Sequence, residues 1–448
     1  MSPRPPRNGT FSGAAHTLRN GGRTLSDSLA PLRDRNIRTY LGGQAVSVIG
    51  FWMQQTAQSW VVWQLSGSGT ALGFTAMLAG LPLLLLGPWM GVYADRWDRR
   101  KVLLATQTAA MALAFVFALL IQFGLVALWH VFVLATLLGI VTALDFPATQ
   151  AFIGDLAGMG RVRQAIILNA SVFQVSRMVG PALAGWAIGA VSVASAFWIN
   201  GVTFLAVIGS LLVIRGNQVR RRSTGRPLDE FREGLAFLRG ERRAQDLLVF
   251  TMIVTFFGIS SIIIIPAVVG VVFPSDPRAE ASTLGFLLAS SGAGALVGTL
   301  LVTPLAQRAR RTGVMLAAAS AWSGVWLVLL SFSHALLTSA VAIFLVSVAI
   351  PVVLTTANGL LQLLAPPDMR ARLLAILVMF SFGAQPIAAI LIGVAADLFT
   401  PLGALLLNGI LTVSCTAALL LLRSGLLTWE ARPGETAADP SESSTRPA

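Results

Sequence analysis

Residues 91–101 read Gly-Val-Tyr-Ala-Asp-Arg-Trp-Asp-Arg-Arg-Lys, and a long apolar run stands on each side of them. The stretch packs four basic residues and two acids into a short polar connection. An apolar run of about 20 residues can cross a bilayer core of roughly 30 Å as a helix. The stretch therefore indicates two membrane-spanning helices joined by a charged connection at one membrane surface.

The rest of the chain repeats this organisation. Apolar runs of spanning length occur between residues 39 and 422, and we count twelve of them; 55% of the chain is hydrophobic. Thirty of the 32 basic residues fall in the two tails and in alternate connections, which places them on one side of the membrane. Because basic residues collect on the cytoplasmic side, both termini and every even-numbered connection are predicted to be cytoplasmic. The sequence predicts an all-α polytopic membrane protein with twelve transmembrane helices.

An internal repeat divides the chain in two. Leu72-Gly73-Phe74 recurs as Leu284-Gly285-Phe286, and later in each half Pro181 corresponds to Pro386. Equivalent features in two runs of six helices predict two pseudo-symmetric six-helix bundles. We expect a disordered cytoplasmic tail at 1–38, an N-terminal bundle at 39–214, a cytoplasmic linker with an amphipathic helix at 215–246, a C-terminal bundle at 247–422 and a second disordered tail at 423–448.

Composition argues against several classes of protein. The net charge of +13 does not indicate nucleic-acid binding, because the arginines cluster at helix ends, where they match anionic lipid headgroups. The single Cys415 has no partner for a disulfide, and the three histidines fall in the tail and at helix ends. No Gly-x-x-x-x-Gly-Lys phosphate loop is present. We expect no enzymatic activity, no cofactor and no bound metal; the expected partners are the lipid bilayer and a small-molecule substrate.

Two charged residues are predicted to lie deep in the membrane, Asp145 in the fourth apolar run and Arg177 in the fifth. A charge at such depth costs about 3 kcal/mol or more and usually faces a cavity or another charge. We therefore expect a switchable ion pair: when substrate or a helix movement draws Arg177 away, the desolvated Asp145 takes up a proton. The alternative is a static, permanently neutralised pair that only holds two helices together.

The connection at residues 91–101 also resembles the signature loop of the major facilitator superfamily, in which a Gly-x-x-x-Asp-Arg segment precedes a basic cluster. The resemblance implies the major facilitator fold, with a conformational latch formed by Gly91, Asp95, Arg96 and Arg99 that breaks when the two halves rock. The alternative for this loop is a topological anchor without a latch.

The resemblance covers nearly all of residues 39–422. Leu81-Pro82 and Asp145-x-Pro147-x-x-Gln150 are among the motifs similar to the branch that contains the bacterial enterobactin exporter, although Thr149 stands where relatives usually carry arginine. The stretch from Gly180 and Pro181 to Gly185 looks like the fifth-helix motif of proton-driven drug exporters. Its alternative is ordinary close packing of small residues between helices.

Amide side chains provide candidates for a substrate cavity. In the superfamily fold the first helix of each three-helix repeat lines the central cavity, and polar residues of the first run follow helical spacing. Amides donate and accept hydrogen bonds without a fixed charge, which suits a polar neutral ligand. The predicted cavity residues are Gln44, Ser47, Gln54, Gln58, Asn358, Gln362 and Gln385. The alternative at each position is an interhelical hydrogen bond.

These features predict a secondary active transporter of the bacterial inner (plasma) membrane that acts as a monomer. It is expected to export a small organic molecule, such as a siderophore-like compound, an antibiotic or a drug, by alternating access in exchange for protons. Asp145 is the expected proton carrier. The alternatives are an importer or lysophospholipid flippase of the same fold, and a membrane scaffold or receptor that transports nothing.

Overall fold

The computed structural model describes residues 30–158, 161–214, 227–309, 311–366 and 369–426. Long helices joined by short connections dominate these ranges. They are α1 (Arg35–Ser66), α2 (Gly69–Arg96), α3 (Arg99–Gln122), α4 (Leu128–Ala157), α5 (Val162–Ala190), α6 (Val193–Val213), α7 (Pro227–Gly240), α8 (Arg242–Val272), α9 (Pro277–Ala306), α10 (Thr312–Ser331), α11 (Leu336–Leu364), α12 (Arg370–Gly383), α13 (Gln385–Phe399) and α14 (Pro401–Leu422).

Eleven segments of the described chain are helices long and apolar enough to cross a membrane, with α12 and α13 together forming one of them. The helix α1 is not among the eleven, although its 32 residues exceed the length needed. It contains the glutamine-rich first run, and amide side chains lower the mean hydropathy of a helix. The expected all-α polytopic fold is confirmed, and α1 coincides with the first predicted span at 39–64.

Side-chain caps explain where several helices begin. The carboxylates of Asp34, Asp98 and Asp276 accept hydrogen bonds from free backbone N–H groups at the starts of α1, α3 and α9. Pro277 then occupies the first turn of α9, where a missing N–H costs nothing. The helix α1 ends at Gly67, whose φ of 58° is a left-handed conformation that glycine adopts readily. These local signals keep the connections short, so consecutive helices run antiparallel.

The two ends of the molecule differ in charge. The helices α3, α5, α8, α10 and α12 all begin at one end, and the residues at or next to their starts are Arg99, Arg161, Arg242, Arg311 and Arg370. We call this the basic end, and we call the end where α2 and α9 begin the non-basic end. The helix α7 lies in the predicted linker, and its Glu233 forms a salt bridge with Arg372 at the start of α12. We refer to α1–α6 as the N-terminal half and to α8–α14 as the C-terminal half.

The internal repeat appears as equivalent contacts between the two halves. A Cβ atom added at Gly285 of α9 would lie 2.6 Å from the carbonyl oxygen of Pro181 in α5. At the repeat-related position, a Cβ atom at Gly73 of α2 would lie 2.1 Å from the carbonyl oxygen of Ala389 in α13. Small residues permit such close backbone approach in membrane proteins. The halves therefore touch along two related helix pairs, α5 with α9 and α2 with α13.

A second repeat-related pair of contacts lies within each half. The sequence Asn-Gly occurs at Asn200 in α6 and again at Asn408 in α14. The Asn200 amide donates to Gln54 Oε1 of α1 at 2.6 Å, whereas the Asn408 amide donates to the carbonyl oxygen of Phe257 in α8 at 3.1 Å. The α8 contact falls where that helix departs from α geometry, with a π segment at Val254–Ile259 and a 3-10 segment at Ser260–Ile264. Each half thus fastens its last helix to its first.

The apolar core is divided unevenly along the membrane normal. The largest buried cluster draws on both halves, including Trp60 and Leu284, and lies toward the non-basic end. Near the basic end the cores are separate: one cluster, with Phe250, belongs to the C-terminal half and α7, and another, with Phe152, belongs to the N-terminal half. Among the described residues, the halves therefore share one apolar cluster at the non-basic end and have separate apolar clusters at the basic end.

Candidate functional site

The Asp145 carboxylate lies inside the N-terminal half and is held by hydroxyl and amide donors. The Thr106 hydroxyl and the Gln107 amide of α3 donate to Oδ1 at 2.6 and 2.9 Å. The Thr149 hydroxyl, one turn further along α4, approaches Oδ2 at 3.5 Å. Tyr40, five residues from the start of α1, donates to Thr149 Oγ1 at 3.4 Å. A chain of polar groups therefore leads from Asp145 toward the basic end.

Arg177 occupies the middle of α5 in different surroundings. Its guanidinium carbon lies 5.6 Å from the centre of the Trp52 ring, a distance at which a cation is attracted to the aromatic face. The Phe173 ring packs edge-on against Trp52 at 5.4 Å. Among the described residues, no acidic side chain forms a salt bridge with Arg177.

The structure does not bring Asp145 and Arg177 together. No hydrogen bond or salt bridge joins them in the described part of the chain, because the Asp145 carboxylate points to α3 and the Arg177 guanidinium points to α1. The switchable pair stays a prediction for another arrangement of the helices. The donors that sequence reasoning missed, Thr106 and Gln107, carry no motif and become visible only when α3 and α4 are packed together.

The polar residues predicted along α1 are placed inside the protein, but they do not share one role. Gln54 is 3% exposed and accepts the hydrogen bond from Asn200, which is the interhelical alternative for that position. Gln44, Ser47 and Gln58 are also buried, and no described group donates to Gln44 Oε1. An unsatisfied buried amide oxygen is costly, so Gln44 has an acceptor available for a ligand or water.

The cavity residues predicted in the C-terminal half are more accessible. The Gln362 amide donates to Asn358 Oδ1 at 2.7 Å within α11, and Gln362 is exposed. Gln385 begins α13, immediately after the interruption at Ala384 that separates α12 from α13. These contacts stay within one segment, so none of the three side chains is tied to a neighbouring helix by a described hydrogen bond.

The signature loop is described only in part. The side chains of Gly91, Asp95 and Arg96 lie outside the described part of the structure. Arg99 is 7% exposed, and its guanidinium forms a 2.6 Å salt bridge with Asp155 near the end of α4. Asp155 was missed by sequence reasoning because its partner lies 56 residues away. The Arg99 contact joins two helices of the same half at the basic end.

The fifth-helix motif in α5 contacts two other helices, α1 and α9. A Cβ atom at Gly180 would meet Trp52 Cβ of α1 at 2.4 Å, and one at Gly185 would meet the Ala281 carbonyl oxygen of α9 at 3.1 Å. Pro181 supplies the carbonyl oxygen against which Gly285 packs. Close helix packing therefore explains these positions in the structure; Gly180 packs within the N-terminal half, whereas Pro181 and Gly185 lie at the joint between the halves.

A further acid joins the two halves at the non-basic end. Asp397, at the end of α13, accepts hydrogen bonds from the Ser68 hydroxyl at 2.6 Å and from the backbone N–H groups of Gly69 and Thr70 at 2.6 and 2.9 Å. The carboxylate therefore binds the positive N-terminal end of α2, a helix of the other half. Its only signal in the sequence is a single acid at the end of an apolar run. In the described residues, no group of three or more metal-ligating side chains occurs.

Comparison with known proteins is consistent across sequence and structure. A family model described as transmembrane secretion effector matches residues 26–444. The staphyloferrin A transporter of Staphylococcus aureus is 21% identical over 82% of this chain and 91% of its own. The multidrug efflux pump Tap of Mycolicibacterium fortuitum is 26% identical over 79% of this chain and 86% of its own.

Among solved structures, a bacterial homologue of the human lysosomal transporter Spinster, in an inward-facing and unoccupied conformation, superposes with a TM-score of 0.70. The superposition covers 89% of this chain and 99% of that one, at 13% sequence identity. At this identity the likeness concerns the fold alone, which is that of a major facilitator transporter.

Proposed function

The chain belongs to the transmembrane secretion effector family of the major facilitator superfamily, and we propose that it exports a small organic molecule in exchange for protons. The proposal places the protein in the inner (plasma) membrane of a bacterium as a monomer, with the basic end and both termini in the cytoplasm. Multi-pass insertion and membership of a transporter family are established by the spans and the family match. The relative named as a multidrug efflux pump favours export over import.

The observation that carries the proposal is the uneven core. Two bodies that share one core at the non-basic end and have separate cores at the basic end can rock about their joint. Rocking exposes a central site first to one side of a membrane and then to the other, which is alternating access. With the basic end in the cytoplasm, the described state is closed toward the outside. A scaffold or receptor has no need of such a divided core.

Asp145 is the proposed proton carrier. It lies in the membrane region with no cationic partner among the described residues, so its charge is costly, and a proton on the carboxyl changes the hydrogen bonds that it accepts. The polar chain through Thr149 to Tyr40 provides a short route toward the basic end. Protonation at Asp145 would weaken the hydrogen bonds that hold α4 against α3, and in this way it couples proton uptake to helix movement.

The test is transport by Asp145→Asn in proteoliposomes. We expect pH-driven, uphill transport of a substrate such as staphyloferrin A to fall at least about tenfold, while downhill exchange persists, because the amide keeps the shape but binds no proton. Asp276→Asn, which changes a helix cap outside the membrane core, is the matched control. Undiminished uphill transport by Asp145→Asn would contradict the proposal.

A further inference from the structure

We propose that Arg177 is the binding site for an oxyanion, a carboxylate or a phosphate, carried by the transported molecule. The inference rests on the proposed transport function and adds the chemistry of the cargo. The amides of α1 predict a polar neutral ligand, whereas the guanidinium adds a requirement for negative charge.

Arg177 has no counterion among the described residues. Asp145 is occupied by Thr106 and Gln107, and Asp397 caps α2 at the non-basic end. An arginine buried in a membrane protein normally pairs with an acid or faces an aqueous cavity. The compensating charge is therefore expected to come from a bound molecule.

Arg177 faces away from the outer surface of α5. Trp186 lies nine residues further along α5, about two and a half turns, and is therefore on the opposite side of the helix. Trp186 is 66% exposed, which marks that opposite side as the outer surface. Arg177 is half-buried and faces the interior, where Trp52 of α1 lies beneath it.

Aromatic side chains lie next to the Arg177 guanidinium. Trp52 Nε1 is buried and has no acceptor among the described groups, so a second donor lies in the same aromatic cluster. Phe173 extends that cluster and is 44% exposed. A planar guanidinium presents paired N–H donors that match the two oxygens of a carboxylate or phosphate. The site therefore fits an organic anion with an apolar portion next to its oxyanion.

Arg177 lies at the joint between the two halves. The carbonyl oxygen of Arg177 lies 2.6 Å from where a Cβ atom at Gly292 of α9 would stand. One turn earlier, the Gln174 amide donates to Thr299 of α9 at 3.2 Å. Cargo held by Arg177 would lie beside a contact that must change when the halves rock. Binding there can therefore favour one arrangement of the halves over the other.

The experiment is equilibrium binding to the purified full-length protein in neutral detergent, which requires neither a gradient nor transport. Two probe pairs each compare an anion with a neutral analogue: citrate against trimethyl citrate, in which methyl esters replace the carboxylates, and lysophosphatidic acid against monooleoylglycerol, which lacks the phosphate. We expect at least one anionic probe to saturate the wild type with an affinity at least about tenfold above that of its neutral partner. Citrate binding would indicate a soluble carboxylate cargo, and lysophosphatidic acid binding a lipid cargo.

Three variants test the residue. Arg177→Gln should weaken binding of the anionic probe at least about tenfold, Arg177→Lys should weaken it less, and the exposed Arg278→Gln should leave it unchanged. Because Arg177 has no counterion among the described residues, Arg177→Gln loses only the contact of the guanidinium with the Trp52 ring, so the melting temperature of the ligand-free protein should fall by no more than about 4 °C. A larger fall would instead indicate an intramolecular ion pair and would overturn the proposal. The proposal would also be overturned if the wild type and Arg177→Gln bound the anionic probe equally. It would likewise be overturned if the wild type bound neither anionic probe more tightly than its neutral partner.

Binding and transport separate the two proposals. If Arg177→Gln weakens anion binding but Asp145→Asn leaves uphill transport unchanged, the oxyanion site is supported and proton coupling through Asp145 is refuted. If Asp145→Asn abolishes uphill transport but Arg177→Gln leaves anion binding unchanged, only the oxyanion site is refuted.

Discussion

At the residue scale, two acids in apolar surroundings are stabilised in different ways. Asp145 stays within one half and is held by side chains of α3, so its protonation acts on the packing of α3 against α4. Asp397 receives its hydrogen bonds from the other half, so they must break when the non-basic end opens. The first acid therefore suits proton binding, and the second suits a latch.

We predict that Asp397→Asn favours the state open at the non-basic end. A hydrogen bond to a charged acceptor contributes about 1.5–3 kcal/mol and one to a neutral acceptor about 0.5–1.5 kcal/mol, so losing the charge should shift the ratio of the two states roughly tenfold. Spin labels at Leu65 and Phe399, which are exposed at that end in opposite halves, would report the change as a longer inter-label distance.

The control for this prediction is Asp276→Asn. Asp276 also caps a helix at the non-basic end, but it accepts from Arg278 and Ala279 of its own half. Its neutralisation should leave the distance distribution unchanged. If both variants shifted the distribution equally, the effect would be one of helix capping, and Asp397 would not be a latch.

At the element scale, glycines determine which helices pack closely together, because they have no side chain to keep the backbones apart. Glycines in α2 and α9 face carbonyl oxygens of α13 and α5, and the two contacts are related by the internal repeat. A helix surface without side chains permits close approach, yet it offers no interlocking side chains that resist sliding. These pairs therefore suit a joint that closes tightly and still moves.

We predict that Gly285→Ala separates α9 from α5. The added methyl group would lie 2.6 Å from the Pro181 carbonyl oxygen and 2.7 Å from Gly185 Cα, so backbone atoms must shift at a cost of about 1–3 kcal/mol. Thermal unfolding in detergent should show a lower melting temperature. Gly209→Ala in α6 is the matched control, because nothing lies within 4 Å of its added atom. Equal melting temperatures for the two variants would refute the tight contact.

At the scale of the whole molecule, charge and packing are arranged along the same axis. The basic end is also the end at which the two halves have separate cores, and the non-basic end is the one sealed by a common core and by Asp397. If the positive-inside rule holds for this chain, the described state opens toward the cytoplasm.

Orientation can be measured with single cysteines in a Cys415→Ser background. Arg278→Cys at the non-basic end and Arg239→Cys in α7 are both at exposed positions. We expect an impermeant thiol reagent to label Arg278→Cys in intact cells, whereas Arg239→Cys should react only after the membrane is opened. The reverse pattern would invert the orientation and, with it, the proposed direction of transport.

The sequence by itself determined the membrane class, the helical spans, the charged end and the two-fold repeat. Hydropathy and charge are sums over about 20 neighbouring residues, so these properties do not depend on how the helices pack. Even so, the mean hydropathy of α1 is lower than that of the other spans, because α1 carries the polar residues predicted to line the cavity.

Only the tertiary structure decided which polar groups meet. Gln54 is bonded to a residue 146 positions away, and Asp397 to groups 327 to 329 positions away, so neither partner could be found from spacing along one helix. Depth in the membrane suggested that Asp145 and Arg177 pair, but depth does not specify which way a side chain points around its helix. Packing turned Asp145 toward α3 and Arg177 toward Trp52, because the helix pairs are chosen by long-range contacts between small residues.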